Sequence, residues 1–130
     1  MSCHRGFTET DVPDQSAKCF IVTGANTGVG FEVARVLAAR GARVLLGCRA
    51  KERAEEAIRR IKRLTPNANL AWLPLDLGDI QAVRTAAVIA SGEPRIDALI
   101  NNAGIMNPPL TRTSQGFESQ FGINHLGVFA

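Results

Sequence analysis

A glycine-rich turn, TGANTGVG at residues 23–30, contains the residues of this sequence that are best suited to bind phosphate. It follows an apolar run at residues 18–23 and precedes a helical pattern, which is the context that such a motif requires. Gly24 permits a tight exit from the strand, Gly28 lets the backbone approach a pyrophosphate, and Gly30 allows the helix to pack closely on the sheet. Free N–H groups and the positive end of the helix would face the phosphates. The predicted contacts of this loop are Gly24, Asn26, Thr27, Gly28, Val29 and Gly30.

The spacing of these glycines separates the turn from two other phosphate-binding loops. Asn26 stands where the G-x-G-x-x-G fingerprint has its second glycine. Gly30 is followed by Phe31 and Glu32, whereas a P-loop requires lysine and then serine or threonine. The pattern that remains is T-G-x-x-x-G-x-G.

Regularly alternating elements must position this loop. Apolar runs at residues 18–23, 42–48, 70–77 and 96–101 predict strands, and helical spacing predicts helices between them. Such runs indicate strands that are buried on both faces of a parallel sheet. We therefore predict an α/β fold, a Rossmann-type doubly wound parallel sheet of four βα units in strand order 3-2-1-4, incomplete relative to a full dinucleotide fold. Pro74 favours an edge position for the third strand, and Thr113 or Ser114 is predicted to cap the last helix, with Glu118 in its first turn.

The T-G-x-x-x-G-x-G loop, LDLGD at residues 75–79, NNAG at 101–104 and Ile123-Asn124 together resemble the short-chain dehydrogenase/reductase family. The segments FTETDVPDQSAK, NNAGIM and NHLG are similar to its retinol dehydrogenase and protochlorophyllide reductase-like branch. The resemblance implies hydride transfer at a nicotinamide, with Asp76 or the Leu77 backbone meeting the adenine. It also implies that the NNAG segment flanks the cofactor and that Asn124 supports a catalytic lysine through water. The further candidate contacts are thus Asp76, Leu77, Asn102, Ala103 and Gly104, with Asn124 in the catalytic set.

The end of the second predicted strand bears on the choice of nicotinamide cofactor. An NAD site places an acid there to bind the ribose 2′-hydroxyl. Here Cys48 occupies that place and Arg49 follows, so a 2′-phosphate would meet a guanidinium and no repulsive carboxylate. We expect NADP(H), with NAD(H) less favoured. Lys51 and Arg53 could assist, although both lie on a charged helix.

The family's general acid/base is a tyrosine whose pKa a nearby lysine lowers, and this chain contains no tyrosine. We expect residues 1–16 to form a polar arm and residues 17–130 to be an NADP-binding portion truncated before the catalytic Ser and Tyr-x-x-x-Lys, inactive alone. Two alternatives stay open: a non-catalytic nucleotide-binding module of regulatory or interaction type, and an enzyme that takes catalytic residues from a partner chain.

Composition limits the other function classes. The net charge is only +3, which does not favour nucleic-acid binding, and no stretch reaches the length of a membrane span. Three cysteines without a C-x-x-C pair predict free thiols and no metal site, with Cys19 and Cys48 as small core residues. We expect a cytoplasmic location, a small-molecule substrate for the full-length enzyme, and a full-length form compatible with a homo-oligomer.

Overall fold

A computed structural model describes residues 6–130, and its four strands form one parallel sheet. The strands are β1 (Cys19–Thr23), β2 (Arg43–Cys48), β3 (Asn69–Pro74) and β4 (Ala98–Ile100). The main helices are α1 (Gly28–Ala39), α2 (Lys51–Leu64) and α3 (Ile80–Ala90). The sheet order is β3-β2-β1-β4, and every pairing is parallel, so the predicted fold class and order are confirmed.

Both faces of the central strands β1 and β2 are buried, which explains why these two strands are continuous apolar runs, whereas β3 and β4 at the edges are less buried. On one face, Val22, Val44 and Leu46 belong to a core with Phe31 of α1 and Ile61 of α2. On the opposite face a second core forms with α3; its buried members are Cys19, Ile21, Leu45, Leu73, Ala86 and Ala90. Cys19 and Cys48 are buried free thiols, as predicted.

Polar side chains make β4 shorter than the predicted strand at residues 96–101. At its start, the carboxylate of Asp97 accepts a hydrogen bond from the backbone N–H of Cys19 at 2.8 Å. At its end, the backbone N–H of Asn102 donates to the Thr23 hydroxyl and to the carbonyl of Ile100 in its own strand, both at 3.0 Å. Side chains thus take over bonds that a longer ladder would have made. The third strand likewise ends at Pro74, on the edge of the sheet as Pro74 suggested.

The prediction that Thr113 or Ser114 caps the last helix is wrong, because Glu118 caps it. The Glu118 carboxylate accepts hydrogen bonds from the backbone N–H groups of Gln120 and Phe121 at 2.8 and 2.9 Å. Thr113 instead closes a turn, in which its hydroxyl accepts from the Phe117 N–H. The helix is then continuous in three segments: α4 (Ser119–Phe121), a π-helical segment (Gly122–Leu126) and α5 (Gly127–Phe129).

The described part of the N-terminal arm lies against α1. A 3-10 turn at Glu9–Asp11 brings the Glu9 carboxylate to 2.5 Å from the guanidinium of Arg35, and Arg40 donates to the Glu9 carbonyl. Residues 1–5 of the predicted arm, which include Cys3, lie outside the described residues, and the boundary at residue 16 stays a prediction. Among residues 6–130, no helix is long and apolar enough to cross a membrane.

Candidate functional site

The predicted site residues follow the carboxyl ends of all four strands. In a parallel sheet these ends share one edge, so Gly24 after β1, Arg49 after β2, Asp76 after β3 and Asn102 after β4 lie along the same edge. Ligands of open α/β sheets bind at this edge, where the strand order reverses. In the observed order the reversal falls between β1 and β4.

The glycines of the loop differ in what surrounds them. Gly24 and Gly28 have φ of +65° and +57°, a region that side chains rarely adopt. A Cβ on Gly28 would meet no atom within 4 Å, so open space faces this backbone. A Cβ on Gly30 would lie 2.5 Å from both the Asn102 Nδ2 and the Gly24 carbonyl oxygen. Gly30 is therefore required for packing, whereas Gly28 leaves room for a ligand.

The first turn of α1 offers donors to that open space. Thr27 is its N-cap and makes no capping hydrogen bond with its side chain within the described chain. Backbone N–H groups at an uncapped helix start, together with the helix dipole, suit an anion. The loop therefore has the shape and the donors that a pyrophosphate requires.

Thr23 holds the loop and the NNAG segment together, a role that the sequence analysis missed. Its buried hydroxyl accepts from the backbone N–H groups of Asn102 and Ala103 at 3.0 and 2.9 Å. The side-chain amide nitrogen of Asn102 also donates a hydrogen bond to the backbone carbonyl of Thr23 at 3.1 Å. A hydroxyl at the end of an apolar strand, directly before Gly24, was the available signal.

Asp76 and Leu77 turn the chain away from β3. The Asp76 carboxylate accepts a hydrogen bond from the Gly78 N–H at 2.8 Å, which fixes the side chain on its own turn. The Leu77 carbonyl lies 2.2 Å from the position of a Cβ on Gly127, so α5 packs directly against this turn. Gly104, after β4, lies close to the side chain of Asn124, which belongs to the same last helix as Gly127.

Cys48 and Arg49 are placed very differently although they are neighbours. Cys48 is buried, and burial raises the pKa of its thiol, so the group stays neutral. Arg49 is exposed and has no hydrogen-bond or ion-pair partner among residues 6–130. The edge of the sheet therefore presents an unpaired guanidinium and no carboxylate at the end of β2.

Asn124 lies in the π-helical segment and is held by the loop after β4. Its amide oxygen accepts from the Ile105 N–H at 2.8 Å, and its amide nitrogen donates to the Ile105 carbonyl at 2.6 Å. π-helical turns are often found at functional sites. His125 stacks between Phe121 and Phe129 on the outer side of this helix, at ring distances of 5.2 and 6.5 Å.

The residues present fit a dinucleotide and do not suggest a metal. The glycine loop, the Arg49 guanidinium and the strand ends share one edge, and within residues 6–130 no three His, Cys, Asp or Glu side chains are grouped to hold a metal ion.

The family profile described as short chain dehydrogenase matches residues 18–130. This chain belongs to the short-chain dehydrogenase family. The match covers the whole sheet and the last helix.

Similar proteins and structures support this assignment. Human retinol dehydrogenase 13 is 48% identical over 113 residues, which are 86% of this chain and 34% of that protein. An uncharacterised protein of Mycobacterium paratuberculosis has a crystal structure that superposes with a TM-score of 0.84 at 42% identity, covering 96% of this chain and 44% of that one. A metagenomic short-chain oxidoreductase in complex with NADP superposes with a TM-score of 0.71 at 29% identity, covering 88% and 52%.

These matches confirm the predicted resemblance to retinol dehydrogenases. The chain spans about a third of the length of the curated relatives that it matches. The described geometry thus corresponds to one portion of the proteins to which it is similar.

Proposed function

We propose that this chain is the cofactor-binding portion of an NADP(H)-dependent oxidoreductase that transfers hydride between nicotinamide and an alcohol, carbonyl or related substrate. The observation that carries the proposal is the shared edge of the sheet, where Gly28 leaves open space beside an uncapped helix start. Membership of the short-chain dehydrogenase family supports the reaction class. When bound, the nicotinamide supplies or accepts the hydride.

The preference for NADP(H) over NAD(H) rests on the end of β2. Arg49 is unpaired within residues 6–130, and the neutral Cys48 precedes it. A guanidinium binds a phosphate through charge-assisted, bidentate hydrogen bonds, whereas a ribose hydroxyl gains less from it. The NADP complex of the metagenomic relative supports the same preference.

The other residues of the edge would hold and orient the dinucleotide. The loop Gly24 to Gly30 would bind the pyrophosphate, Asp76 and Leu77 would border the adenine, and Asn102 to Gly104 would flank the cofactor. Asn124 is a positioning residue, since its side chain ties the π-helical segment to Ile105.

We propose that the chain alone does not turn over substrate, because it contains no tyrosine to act as general acid/base. The substrate of the full protein is a small alcohol or carbonyl compound in this proposal. Retinoids are one class to test, because human retinol dehydrogenase 13 is a relative. A cytoplasmic location is a further proposal, and cell fractionation tests it.

Calorimetric titration of residues 1–130 with NADPH and with NADH tests the proposal. We expect NADPH to bind more tightly than NADH, and Arg49→Gln to remove most of that difference. Tighter binding of NADH would contradict the choice of cofactor. Absence of binding by both nucleotides to the folded chain would overturn the proposed function.

A further inference from the structure

An open groove runs along α1, between that helix and the N-terminal arm. It has a volume of about 840 Å³, which is within the range of small-molecule sites. Its lining comes from the arm, from α1 and from α2, and includes Phe7, Val12, Val29, Phe31, Val33 and Arg60. The groove borders the phosphate loop only at one end, through residues 27–29, so most of it lies outside the edge that we assign to the cofactor.

The walls of the groove are apolar and are largely open to solvent. Phe7 of the arm is 79% exposed and Val29 of α1 is 72% exposed. Val33 is half-buried and packs against the core that contains Phe31. An apolar chain that lies in the groove would remove these side chains from water, and binding is favoured in proportion to the apolar area that it covers.

The charges on the arm side of the groove are balanced. The guanidinium of Arg35 donates to the carboxylates of Glu9 and Glu32 at 2.5 and 2.7 Å. Arg40 donates to the backbone carbonyl of Glu9 at 2.8 Å, so a second guanidinium lies at this cluster. Two acids thus face two guanidiniums, and neither sign is in excess here.

Arg60, on the α2 side of the groove, carries a charge that is not balanced. Its guanidinium lies over the Phe31 ring, 4.2 Å from the ring centroid, and has no hydrogen-bond or ion-pair partner among residues 6–130. Glu56, one turn earlier in α2, is already bound by Arg59 at 2.7 and 3.1 Å. A guanidinium that lies on an aromatic ring keeps its N–H groups available for an anion.

We propose that this groove binds an anionic amphiphile, a long-chain carboxylate whose alkyl chain lies along α1 and whose head group binds Arg60. A carboxylate forms charge-assisted, bidentate hydrogen bonds with a guanidinium. A neutral ligand would use the apolar walls alone, and a cationic one would be repelled by Arg60. The inference does not depend on the proposed function, because it requires neither Arg49 nor the strand ends.

The test uses decanoate and decyltrimethylammonium as probes, because they have alkyl chains of equal length and head groups of opposite charge. In an NMR titration of the full 130-residue chain, we expect decanoate to shift the amides of residues 7–9 and 29–36. We expect it to bind about five-fold more tightly than decyltrimethylammonium, and Arg60→Gln to remove that difference. Arg63→Gln is the matched control, since it removes the same charge from α2 outside the groove. Arg60 is exposed, so its replacement is not expected to affect folding.

A second variant tests the apolar wall. Phe7→Ser is expected to weaken the binding of both probes about three-fold, because the chain covers less apolar surface. Leu110→Ser is the control, since Leu110 is an exposed apolar residue that does not line the groove. Equal losses in the two variants would contradict binding in the groove.

Three other results would overturn the inference. Equal affinity for the two probes, or an unchanged difference in Arg60→Gln, would show that Arg60 does not bind the head group. Loss of decanoate binding at saturating NADPH would place the ligand at the nucleotide edge. Binding to phosphatidylglycerol vesicles without binding of monomeric decanoate would make this face a membrane contact and not a ligand site. Failure of NADPH to bind would refute the proposed function and leave the groove unaffected.

Discussion

The hydroxyl oxygen of Thr23 accepts a hydrogen bond of 3.0 Å from the backbone N–H of Asn102, and this bond ties the end of β1 to the end of β4. The Ala103 N–H donates to the same oxygen at 2.9 Å. The junction lies where the strand order reverses, so it sets the spacing between the glycine loop and the NNAG segment.

Thr23→Val is expected to lower the free energy of unfolding by about 2 kcal/mol, because two backbone donors lose a buried acceptor while the volume is kept. Urea denaturation followed by circular dichroism measures the change. Thr23→Ser keeps the hydroxyl and is expected to lose much less. A valine variant as stable as the serine variant would show that the hydroxyl does not hold this junction.

Two alanine substitutions in the phosphate loop are expected to act differently. Gly30→Ala places a Cβ 2.5 Å from Asn102 and the Gly24 carbonyl, and overpacking of this kind costs about 1–3 kcal/mol of stability. Gly28→Ala meets no atom, so it costs about 1–2 kcal/mol for its positive φ alone.

Nucleotide binding distinguishes the two variants further. The Cβ of Gly28→Ala enters the space proposed for the pyrophosphate. The folded variant should therefore bind NADPH more weakly than the folded wild type. Gly6→Ala, at an open position without positive φ, is the control. Unchanged NADPH affinity in a folded Gly28→Ala variant would contradict the proposed placement of the pyrophosphate.

Ala17 has φ of +64° directly before β1, which is unfavourable for a residue with a Cβ. Ala17→Gly is expected to raise the free energy of unfolding by about 0.5–1 kcal/mol. Glycine relieves the backbone strain of the folded state, and part of this gain is offset because glycine increases the conformational entropy of the unfolded chain. Thermal and urea unfolding measure it. Ala87→Gly, on the exposed side of α3, should instead lose about 1 kcal/mol. A loss of stability in both variants would show that Ala17 is not strained.

Asp97 gives the fold a dependence on acid. The hydrogen bond from the Cys19 N–H, together with that from Arg95, holds the pKa of Asp97 below its usual 3.8. The stabilisation is therefore complete above the unfolded-state pKa and is lost as pH falls through the lower folded-state pKa. Below about pH 4, wild type should therefore lose stability more steeply than Asp97→Asn as the pH falls. Parallel pH profiles of the two proteins would contradict this.

Asn124→Ala tests the link between the last helix and the loop after β4. The Ile105 N–H loses its acceptor, so its hydrogen exchange should become faster while the amides of β1 keep their protection. His125→Ala, on the outer side of the same helix, is the control. Equal exchange at Ile105 in both variants would show that Asn124 does not hold the π-helical segment.

The sheet could be predicted from the sequence because its strands are apolar on both faces and glycines mark the turns. The glycine-rich turn between β1 and α1 could be predicted too, since Gly24 and Gly28 have the positive φ that favours glycine. Side-chain partners that are distant in sequence could not be predicted. The bond from Thr23 to Asn102 spans 79 residues, and no periodicity encodes it.

The end of the chain shows the same limit on a smaller scale. Thr113 and Ser114 are favoured helix caps by residue type and glutamate is not, so the sequence favours the wrong residues. In the structure a turn that contains Gly116 follows Ser114, and the helix begins after Glu118. Similarly, Lys51 and Arg53 have similar charge in similar positions, and tertiary contacts with Trp72 and the loop separate them.

The most direct test of the account is an NMR titration of the 130-residue chain with NADPH, followed through its backbone amide shifts. We predict that the largest changes occur at the carboxyl edge of the sheet, in residues 24–30, at Arg49, at Leu77 and in residues 102–104. Changes confined to the opposite edge, around Lys18, Arg43 and Glu93, or no changes at all, would contradict the claim that this edge binds a phosphorylated nicotinamide dinucleotide.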